Sequence, residues 1–312
     1  MDINSKIFIA GKDGVAGSAI LRLLKRDGFQ NLLTPSCSEL NFCDQVAVDH
    51  YFKQWSPDYV FYAAAKMGGI IYRSTHPADI LYENLMMQAN IIRAAHENGA
   101  KKLLFMSSDF IYPNIEERNL CEKDFLTAPF GTKDLPYTLA KTTGIKMCDY
   151  YHKQYGDDFF SVVPCAFFGY NASFDLERAN VVGALIKRFH DAKREEAKEL
   201  FLWGSGKPKK EFLFCDDVAD ACIFLMKQNE YHLLTNIGSG DGGITIFELA
   251  KIIKKIVGFR GDITCDLSKP DGIMCRVMDS SQLYSMGWKP KFSLEQALNL
   301  TYQHFLTMQY PN

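Results

Sequence analysis

The chain has little excess charge and no long hydrophobic run. Its 312 residues carry a formal net charge of -2, and 23% of them are charged. Proteins that bind nucleic acid through its phosphates usually carry a basic excess, so this balance argues against that class of partner. No apolar run approaches the roughly 20 residues that a membrane span needs, and the first residues lack the apolar core of a signal peptide. We therefore expect a cytoplasmic protein whose partner is neither a nucleic acid nor a membrane.

The cysteines show neither a disulfide pattern nor a metal-binding pattern. There are nine of them, an odd count, and no two form a Cys-x-x-Cys pair, which favours reduced thiols. Neither the cysteines nor the seven histidines have the spacing of metal ligands, so we expect no metal. The length and the hydrophobic content of 47% are those of a folded chain with one large domain and a smaller one.

A glycine-rich turn near the N-terminus stands between a short apolar strand pattern, 6–10, and a helical pattern, 18–25. Gly11 can make the tight turn, Gly14 lets a pyrophosphate approach the backbone, and Gly17 lets the helix pack on the strand. Strand, glycine turn and helix in this order predict a dinucleotide-binding fold.

The end of the second predicted strand, 31–34, normally distinguishes NAD from NADP. A carboxylate there binds the ribose hydroxyls of NAD, whereas an arginine accepts the 2′-phosphate of NADP. Residues 35–38 are Pro, Ser, Cys and Ser, so we find neither of these residues. Lys12 or the hydroxyls of Ser36 and Ser38 can meet a 2′-phosphate, but an ordinary loop explains them equally well. These residues leave the cofactor choice open.

Strand and helix patterns alternate along the next part of the chain. They cover 45–54 (helix), 59–65 (strand), 79–98 (helix) and 102–106 (strand). Such alternation with short links predicts an α/β fold built on a doubly wound parallel (Rossmann) sheet, whose ligands bind at the carboxyl ends of the strands. Lys66, Ser107 and Ser108 fall at such ends, and a serine there can donate a hydrogen bond to a substrate carbonyl.

Tyr137 and Lys141 are where the chemistry is predicted. Pro136 suits the first turn of a helix, and side chains four residues apart on a helix share a face. Because an ammonium favours a neighbouring phenolate, we expect the pKa of Tyr137 to fall, which would make an acid–base group for a carbonyl/alcohol redox step. Tyr62 and Lys66 have the same spacing, but in a predicted strand, where residues four apart cannot touch.

Beyond residue 168 the pattern becomes irregular, which predicts a smaller C-terminal α/β domain for the substrate. The helical patterns there cover 181–193, 245–257 and 293–308, with Ser293 as an N-cap, and the segment 214–227 returns to the first domain. The predicted division assigns residues 1–168 with about 212–240 to the dinucleotide-binding domain, and about 169–211 with 241–312 to the substrate domain.

These motifs together resemble the GDP-L-fucose synthase family of extended short-chain dehydrogenases/reductases. Besides the glycine turn, Ser108, Tyr137 and Lys141, the longer matches are AAAKMGGI (63–70), HPAD (76–79), IYP (111–113), WGSG (203–206), EFL (211–213) followed by DD (216–217), and SKPDG (268–272). The resemblance runs along essentially the whole chain. Members of this family take a GDP-4-keto-6-deoxy sugar, epimerise C3 and C5, and reduce the C4 ketone with NADPH.

The resemblance implies a role for each matching residue. Tyr137 would protonate the C4 oxygen, Ser108 would hydrogen-bond it, and Lys141 would hold the nicotinamide ribose and lower the pKa of the tyrosine. The cofactor-binding set is Gly11, Lys12, Gly14, Val15, Gly17, Ser38, Leu40, Asn41, Ala64, Ala65, Lys141, Pro164 and Phe167. The substrate-binding set is Lys66, Ser107, Asp109, Asn180, Arg188, Trp203, Lys210 and Asp271, with Arg188 and Lys210 on the GDP diphosphate and Trp203 and Asp271 on the nucleotide or sugar.

Two positions depart from the epimerising pattern. Those members use a cysteine two residues after the catalytic serine and a histidine further on, and here these positions are Phe110 and Asn180. Phenylalanine cannot exchange a proton, and an amide does not titrate near neutral pH. We therefore predict a C4 reductase without epimerisation, acting on a GDP-4-keto hexose or heptose. The alternatives are a bifunctional epimerase–reductase with Asp109 as the base, and a non-catalytic dinucleotide-binding sensor.

The family arginines for the 2′-phosphate are also replaced, by Asp13 and Cys37. NADPH is therefore favoured by family habit alone, and NADH stays open. The resemblance further implies a homodimer formed through the Tyr137 helix and the 79–98 helix.

Overall fold

A computed structural model describes residues 1–68, 70–115, 118–128 and 135–309. Asp134 and Gly69, at the edges of the matched motifs, lie outside these ranges. The first elements are β1 (Ile7–Ala10), α1 (Val15–Arg26), β2 (Leu32–Leu33), α2 (Gln45–Trp55), β3 (Tyr59–Tyr62), α3 (Ile70–Thr75), α4 (Pro77–Glu97), β4 (Lys102–Met106) and α5 (Leu135–Tyr155). The later ones are β5 (Phe159–Pro164), β6 (Ala166–Phe168), α6 (Val181–Arg194), β7 (Glu199–Trp203), β8 (Lys209–Lys210), β9 (Phe212–Phe214), α7 (Cys215–Lys227), β10 (Leu234–Ile237), β11 (Ile244–Thr245), α8 (Ile246–Val257), β12 (Asp262–Asp266), β13 (Cys275–Arg276), α9 (Ser281–Ser285) and α10 (Leu294–Gln309).

The main sheet of the described residues has six parallel strands in the order β10-β5-β4-β3-β1-β2. Its central strands are buried along their whole length, as expected for a parallel sheet covered on both faces. α1 packs on α7, while α2, α4 and α5 pack side by side as a second layer. The prediction of a doubly wound Rossmann sheet is confirmed.

Smaller sheets and helices complete the C-terminal part. β8 lies between β11 and β13, β12 pairs with β7, and β6 pairs with β9. Glu211, between β8 and β9, is buried and accepts hydrogen bonds from Ser239 Oγ, Gly240 N and Met278 N. This carboxylate therefore ties the small sheets to the loop that follows β10. The predicted smaller α/β region is confirmed, whereas the domain boundaries stay a prediction.

Most predicted helices begin and end within two residues of the observed bounds. Thr245 caps α8 by accepting from Glu248 N, and Ser293 caps α10 by accepting from Gln296 N at 3.3 Å. The strand predicted over 59–65 is too long, because β3 ends at Tyr62. Its ladder partner in β1 stops at Ala10, where Gly11 turns the chain with a φ of +90°. No described helix is both long and apolar enough to cross a bilayer.

Candidate active site

The glycine turn after β1 is closed by backbone contacts. A Cβ on Gly11 would lie 2.8 Å from the backbone nitrogen of Ala64, and a Cβ on Gly17 would lie 2.6 Å from the carbonyl carbon of Gly11. Gly14 is the N-cap of α1 and gives it no side-chain hydrogen bond. The first amides of α1 therefore remain available to an anion, as pyrophosphate binding at a helix N-terminus requires.

Except for Phe167 and Lys141, the remaining predicted cofactor residues lie at or just beyond the carboxyl ends of strands of the main sheet. Lys12 and Val15 follow β1, Ser38, Leu40 and Asn41 follow β2, Ala64 and Ala65 follow β3, and Pro164 and Phe167 lie in β5 and β6. The main sheet places the ends of β1, β2, β3 and β5 along one edge, where dinucleotides bind in this class of fold, whereas β6 pairs with β9 outside this sheet.

Lys141 is buried beneath this edge and joins two strand ends. Its Nζ donates to the carbonyl oxygen of Met106 at 2.9 Å and to that of Ala64 at 3.4 Å. The same nitrogen lies 5.8 Å from the ring centroid of Tyr137, which is also buried. The tyrosine–lysine pair is therefore held on one face of α5, as the spacing predicts.

The prediction for the pKa of Tyr137 is wrong in direction. Burial raises the pKa of this phenol above its ordinary value, the negative charge of Asp109 raises it further, and Arg73 lowers it by less. Burial also lowers the pKa of the Lys141 ammonium to about 7. For both groups, desolvation by burial is the largest cause of the shift in pKa. Tyr137 therefore keeps its proton at neutral pH, as a proton donor must.

The second pair with this spacing does not lie on a helix. Tyr62 ends β3, whereas Lys66 lies in the loop beyond it, paired with Glu83. Asn84 holds the backbone of Lys66 by accepting from its N at 3.0 Å and donating to its O at 2.7 Å. The predicted substrate residue Lys66 is thus engaged with α4.

Ser108 starts a 3-10 turn, Asp109–Ile111, at the end of β4. Its Oγ donates to Asp109 Oδ1 at 3.2 Å, while Asp109 Oδ2 lies 3.7 Å from Nε of the buried Arg276. Arg276 also donates to the carbonyl oxygen of Pro113 at 3.0 Å. The Oγ of the buried Ser107 has no hydrogen-bond partner among the described residues. Asp109 is therefore a partly exposed carboxylate fixed between the serine and an arginine.

Phe110 and Asn180 stand where the resemblance expects the proton-transfer residues of epimerising members. The Phe110 ring meets the Tyr137 ring edge to face at 6.2 Å, and Cζ of Arg73 lies 5.8 Å from the Phe110 centroid. Asn180 caps α6 by accepting from Gly183 N at 3.0 Å and donates to the carbonyl oxygen of Phe167 at 3.1 Å. Both ends of the amide therefore serve the fold.

The predicted nucleotide residues meet around Trp203, whose exposure is 66%. Cζ of Arg188 and Nζ of Lys269 lie 5.8 Å and 5.7 Å from its ring centroid. Asp271 accepts from the N and Oγ of Ser205 at 2.8 Å and 2.7 Å, and so closes the adjoining turn. An exposed indole between two cations suits a nucleotide with its diphosphate.

Lys210 lies on β8, where the strand register places it opposite Arg276 of β13. Sequence reasoning missed Arg276, which lies near Asp109, and Arg73, which lies near the Phe110 ring. Arg73 and Arg276 each stand close to a matched motif, but only their contacts distinguish them from surface cations.

The comparisons agree with this geometry. The model of the NAD dependent epimerase/dehydratase family matches residues 7–238. The chain therefore belongs to the NAD dependent epimerase/dehydratase family. It is 45% identical to GDP-L-fucose synthase 1 of Arabidopsis thaliana over 305 residues, which cover 98% of this chain and 94% of the relative.

Solved structures of two Campylobacter jejuni proteins are also similar. One is a GDP-6-OMe-4-keto-L-xylo-heptose reductase, with a TM-score of 0.91, 34% identity and 99% of each chain covered. The other is a GDP-mannoheptose C4 reductase with NADP bound, with a TM-score of 0.90, 34% identity, and 98% of this chain and 100% of that chain covered. Within its family the chain is thus GDP-L-fucose synthase-like.

The buried Lys141 predicts a pH-dependent stability difference. Its pKa of about 7 lies below the value of an unfolded lysine, so burying its charge costs stability below pH 7, and this cost is relieved as the pH rises towards 10.5. Lys141→Met removes the cost. The quantity to compare is the free energy of unfolding of Lys141→Met minus that of wild type. We expect this difference to be highest near pH 6 and to fall by up to about 1.4 kcal/mol per pH unit above pH 7.

Urea unfolding at pH 6, 8 and 10 measures this difference. Lys53→Met, at an exposed position of α2, is the control and should show no such slope. If the difference for Lys141→Met stays constant with pH, the pKa of the buried Lys141 ammonium is not lowered.

Proposed function

We propose that the protein reduces the C4 ketone of a GDP-4-keto or GDP-4-keto-6-deoxy sugar, a hexose or heptose, without epimerising C3 or C5. The main support is that neither Phe110 nor Asn180 can transfer a proton. A phenyl ring cannot carry a proton, and the Asn180 amide is engaged at both ends by Gly183 and Phe167. The hydride-transfer residues Ser108, Tyr137 and Lys141 are intact.

When bound, a reduced nicotinamide would supply the hydride that C4 accepts. Tyr137 donates its phenolic proton to the C4 oxygen, for which its raised pKa keeps it ready. Ser108 turns its hydroxyl hydrogen from Asp109 to the same oxygen and orients it. Lys141, held by Met106 O, stabilises the phenolate left behind and holds the nicotinamide ribose.

Recognition of the substrate falls to the C-terminal part of the chain. Arg188 and Lys210 bind the diphosphate of GDP, while Trp203 and Asp271 contact the nucleotide or sugar. The exposure of Trp203 and the nearby Arg188 support this assignment. The reductases of C. jejuni named above act on GDP-heptoses, and the A. thaliana relative is a GDP-L-fucose synthase, so both sugar lengths fit the relatives.

The second candidate function is a bifunctional epimerase–reductase with Asp109 as its base. The contact between this carboxylate and Ser108 favours it. However, Asp109 Oδ2 also lies 3.7 Å from Nε of the buried Arg276, and this ion pair already engages the carboxylate. A non-catalytic sensor would have no use for the intact tyrosine, lysine and serine.

Incubation with a GDP-4-keto-6-deoxy sugar and reduced cofactor in deuterated water tests the proposal. We expect cofactor oxidation and a product without deuterium at C3 or C5 beyond the substrate's own slow exchange. Deuterium at either carbon that is lost in Asp109→Asn would establish the bifunctional alternative. Failure to oxidise either NADH or NADPH with any such sugar would refute the reductase.

We also propose a homodimer that forms through α4 and α5, because these helices pack side by side and leave large apolar side chains exposed. These are Tyr82, Leu139, Tyr150 and Tyr155. Sedimentation velocity would report a single species of about 35 kDa if this assignment were wrong.

A further inference from the structure

The carboxyl ends of β1 and β2 meet where this fold places the adenosine ribose of a dinucleotide. Five residues of this region carry polar side chains, and we name them the ribose corner. They are Lys12, Asp13, Ser36, Ser38 and Glu39. The relative from C. jejuni has NADP bound, so the fit of this corner to a 2′-phosphate decides whether the same cofactor suits this chain.

Glu39 is a fixed carboxylate in the ribose corner. Its Oε2 accepts hydrogen bonds from Ser36 N at 2.7 Å and from Ser36 Oγ at 2.8 Å. The Oγ atoms of Ser36 and Ser38 lie 2.9 Å apart, so the turn is closed by its own side chains. The hydrogen bonds from Ser36 lower the pKa of Glu39, and this carboxylate is ionised at neutral pH.

Lys12 is the cation of the ribose corner, and it already has a partner. Its Nζ lies 2.8 Å from Asp13 Oδ1, and this hydrogen bond raises the pKa of the lysine. Asp13 and Cys37 stand where the resemblance expects arginines. The ribose corner therefore contains two carboxylates and a single cation, and that cation is already paired with one of them.

A 2′-phosphate does not fit this arrangement. It brings about two negative charges to a site whose two carboxylates repel it and whose lysine must first leave Asp13. A ribose diol fits, because a fixed carboxylate accepts hydrogen bonds from the 2′- and 3′-hydroxyls. The chemistry of the corner is that of an NAD site.

We propose that this protein binds NADH in preference to NADPH and that Glu39 is the residue that determines the preference. The proposal rests on the dinucleotide-dependent reduction proposed above. Glu39 favours the free diol by accepting its hydrogens and disfavours the phosphate by its charge. Asp13 also repels the 2′-phosphate, and its ion pair with Lys12 keeps that cation from binding the phosphate.

Titration of the wild-type protein with NADH and with NADPH, followed by nucleotide fluorescence without any sugar, tests the preference. We expect NADH to bind about tenfold more tightly at low salt, and the ratio to narrow at high salt because screening weakens the repulsion. Tighter binding of NADPH at both salt concentrations would overturn the proposal.

One variant and a matched control test whether Glu39 determines the preference. Glu39→Gln should bind NADPH about tenfold more tightly than wild type and NADH a few-fold less tightly. Asp27→Asn, at the far end of α1, is the matched control and should leave both Kd values unchanged. An unchanged ratio of the two Kd values in Glu39→Gln would refute the role of Glu39.

A damaged turn must be distinguished from altered specificity. Binding of 5′-AMP and of 2′,5′-ADP to Glu39→Gln separates the two, because a damaged turn weakens both and lost repulsion strengthens only 2′,5′-ADP. Weakening of both would count against the specificity role. If the cofactors bind as expected but no keto sugar is reduced, the proposed function fails while the binding preference stands.

Discussion

Tyr137→Phe is expected to lower kcat for the reduction by about three orders of magnitude, since general-acid catalysis contributes roughly 10²–10⁴-fold. The variant keeps the ring that packs against Phe110 and loses the hydroxyl that is proposed to donate its proton to the C4 oxygen. Dinucleotide affinity should be unchanged, because the phenol has no part in the glycine turn. Single-turnover mixing of enzyme, reduced cofactor and keto sugar separates the chemical step from binding.

The chain provides a matched control for this substitution. Tyr62 also stands four residues before a lysine, and its buried hydroxyl has no hydrogen-bond partner among the residues that the structure describes. Tyr62→Phe should keep kcat within about threefold of wild type, because an unpaired buried hydroxyl contributes nothing to stability and this one lies outside the reacting set. Equal losses in both variants would mean that Tyr137 supports the fold and does not supply the proton.

Gly17→Ala is expected to disrupt the glycine turn. Its Cβ would overlap the carbonyl oxygen of Gly11, and these atoms are backbone, so they cannot rotate away. We expect a loss of about 3 kcal/mol in the free energy of unfolding and of about two orders of magnitude in dinucleotide affinity. Urea unfolding and fluorescence titration measure the two losses.

Gly14→Ala is the control for the turn. A Cβ at Gly14 would have its nearest contact at 3.4 Å, from the carbonyl oxygen of Gly11, which is close to an ordinary distance. We expect the free energy of unfolding to change by no more than about 1 kcal/mol. The affinity for dinucleotide should still fall, because the methyl group stands where the pyrophosphate approaches the α1 amides. Equal destabilisation by both alanines would contradict this division of roles.

Long elements with a strong period could be predicted from the sequence, and short ones could not. The strand over Lys102–Met106 is predicted to the residue, because five consecutive positions are buried in the sheet. β8 and β13 have only two residues each, and their pairing joins Lys209 to Cys275. No local pattern encodes a contact between residues so far apart in the chain.

In the candidate site, spacing and context were enough to identify Tyr137 and Lys141. They were not enough to predict how the pKa values of these side chains shift. The expected fall in the pKa of Tyr137 considered only the neighbouring charge, while the burial that reverses the direction depends on the packed fold. Arg276 shows the same limit, since its contact with Asp109 bridges 167 positions and involves a strand of two residues.

The two hydrogen bonds of the Asn180 amide would make it costly for this protein to acquire an epimerase activity. This amide simultaneously begins α6 and holds the carbonyl of Phe167 in β6, so a change back to histidine would remove a helix cap at a cost of about 1 kcal/mol as well as that link. Phe110 would have to become a cysteine independently. Under the proposed function neither change helps without the other, and the first carries a penalty, so acquiring the epimerase activity would require both substitutions together.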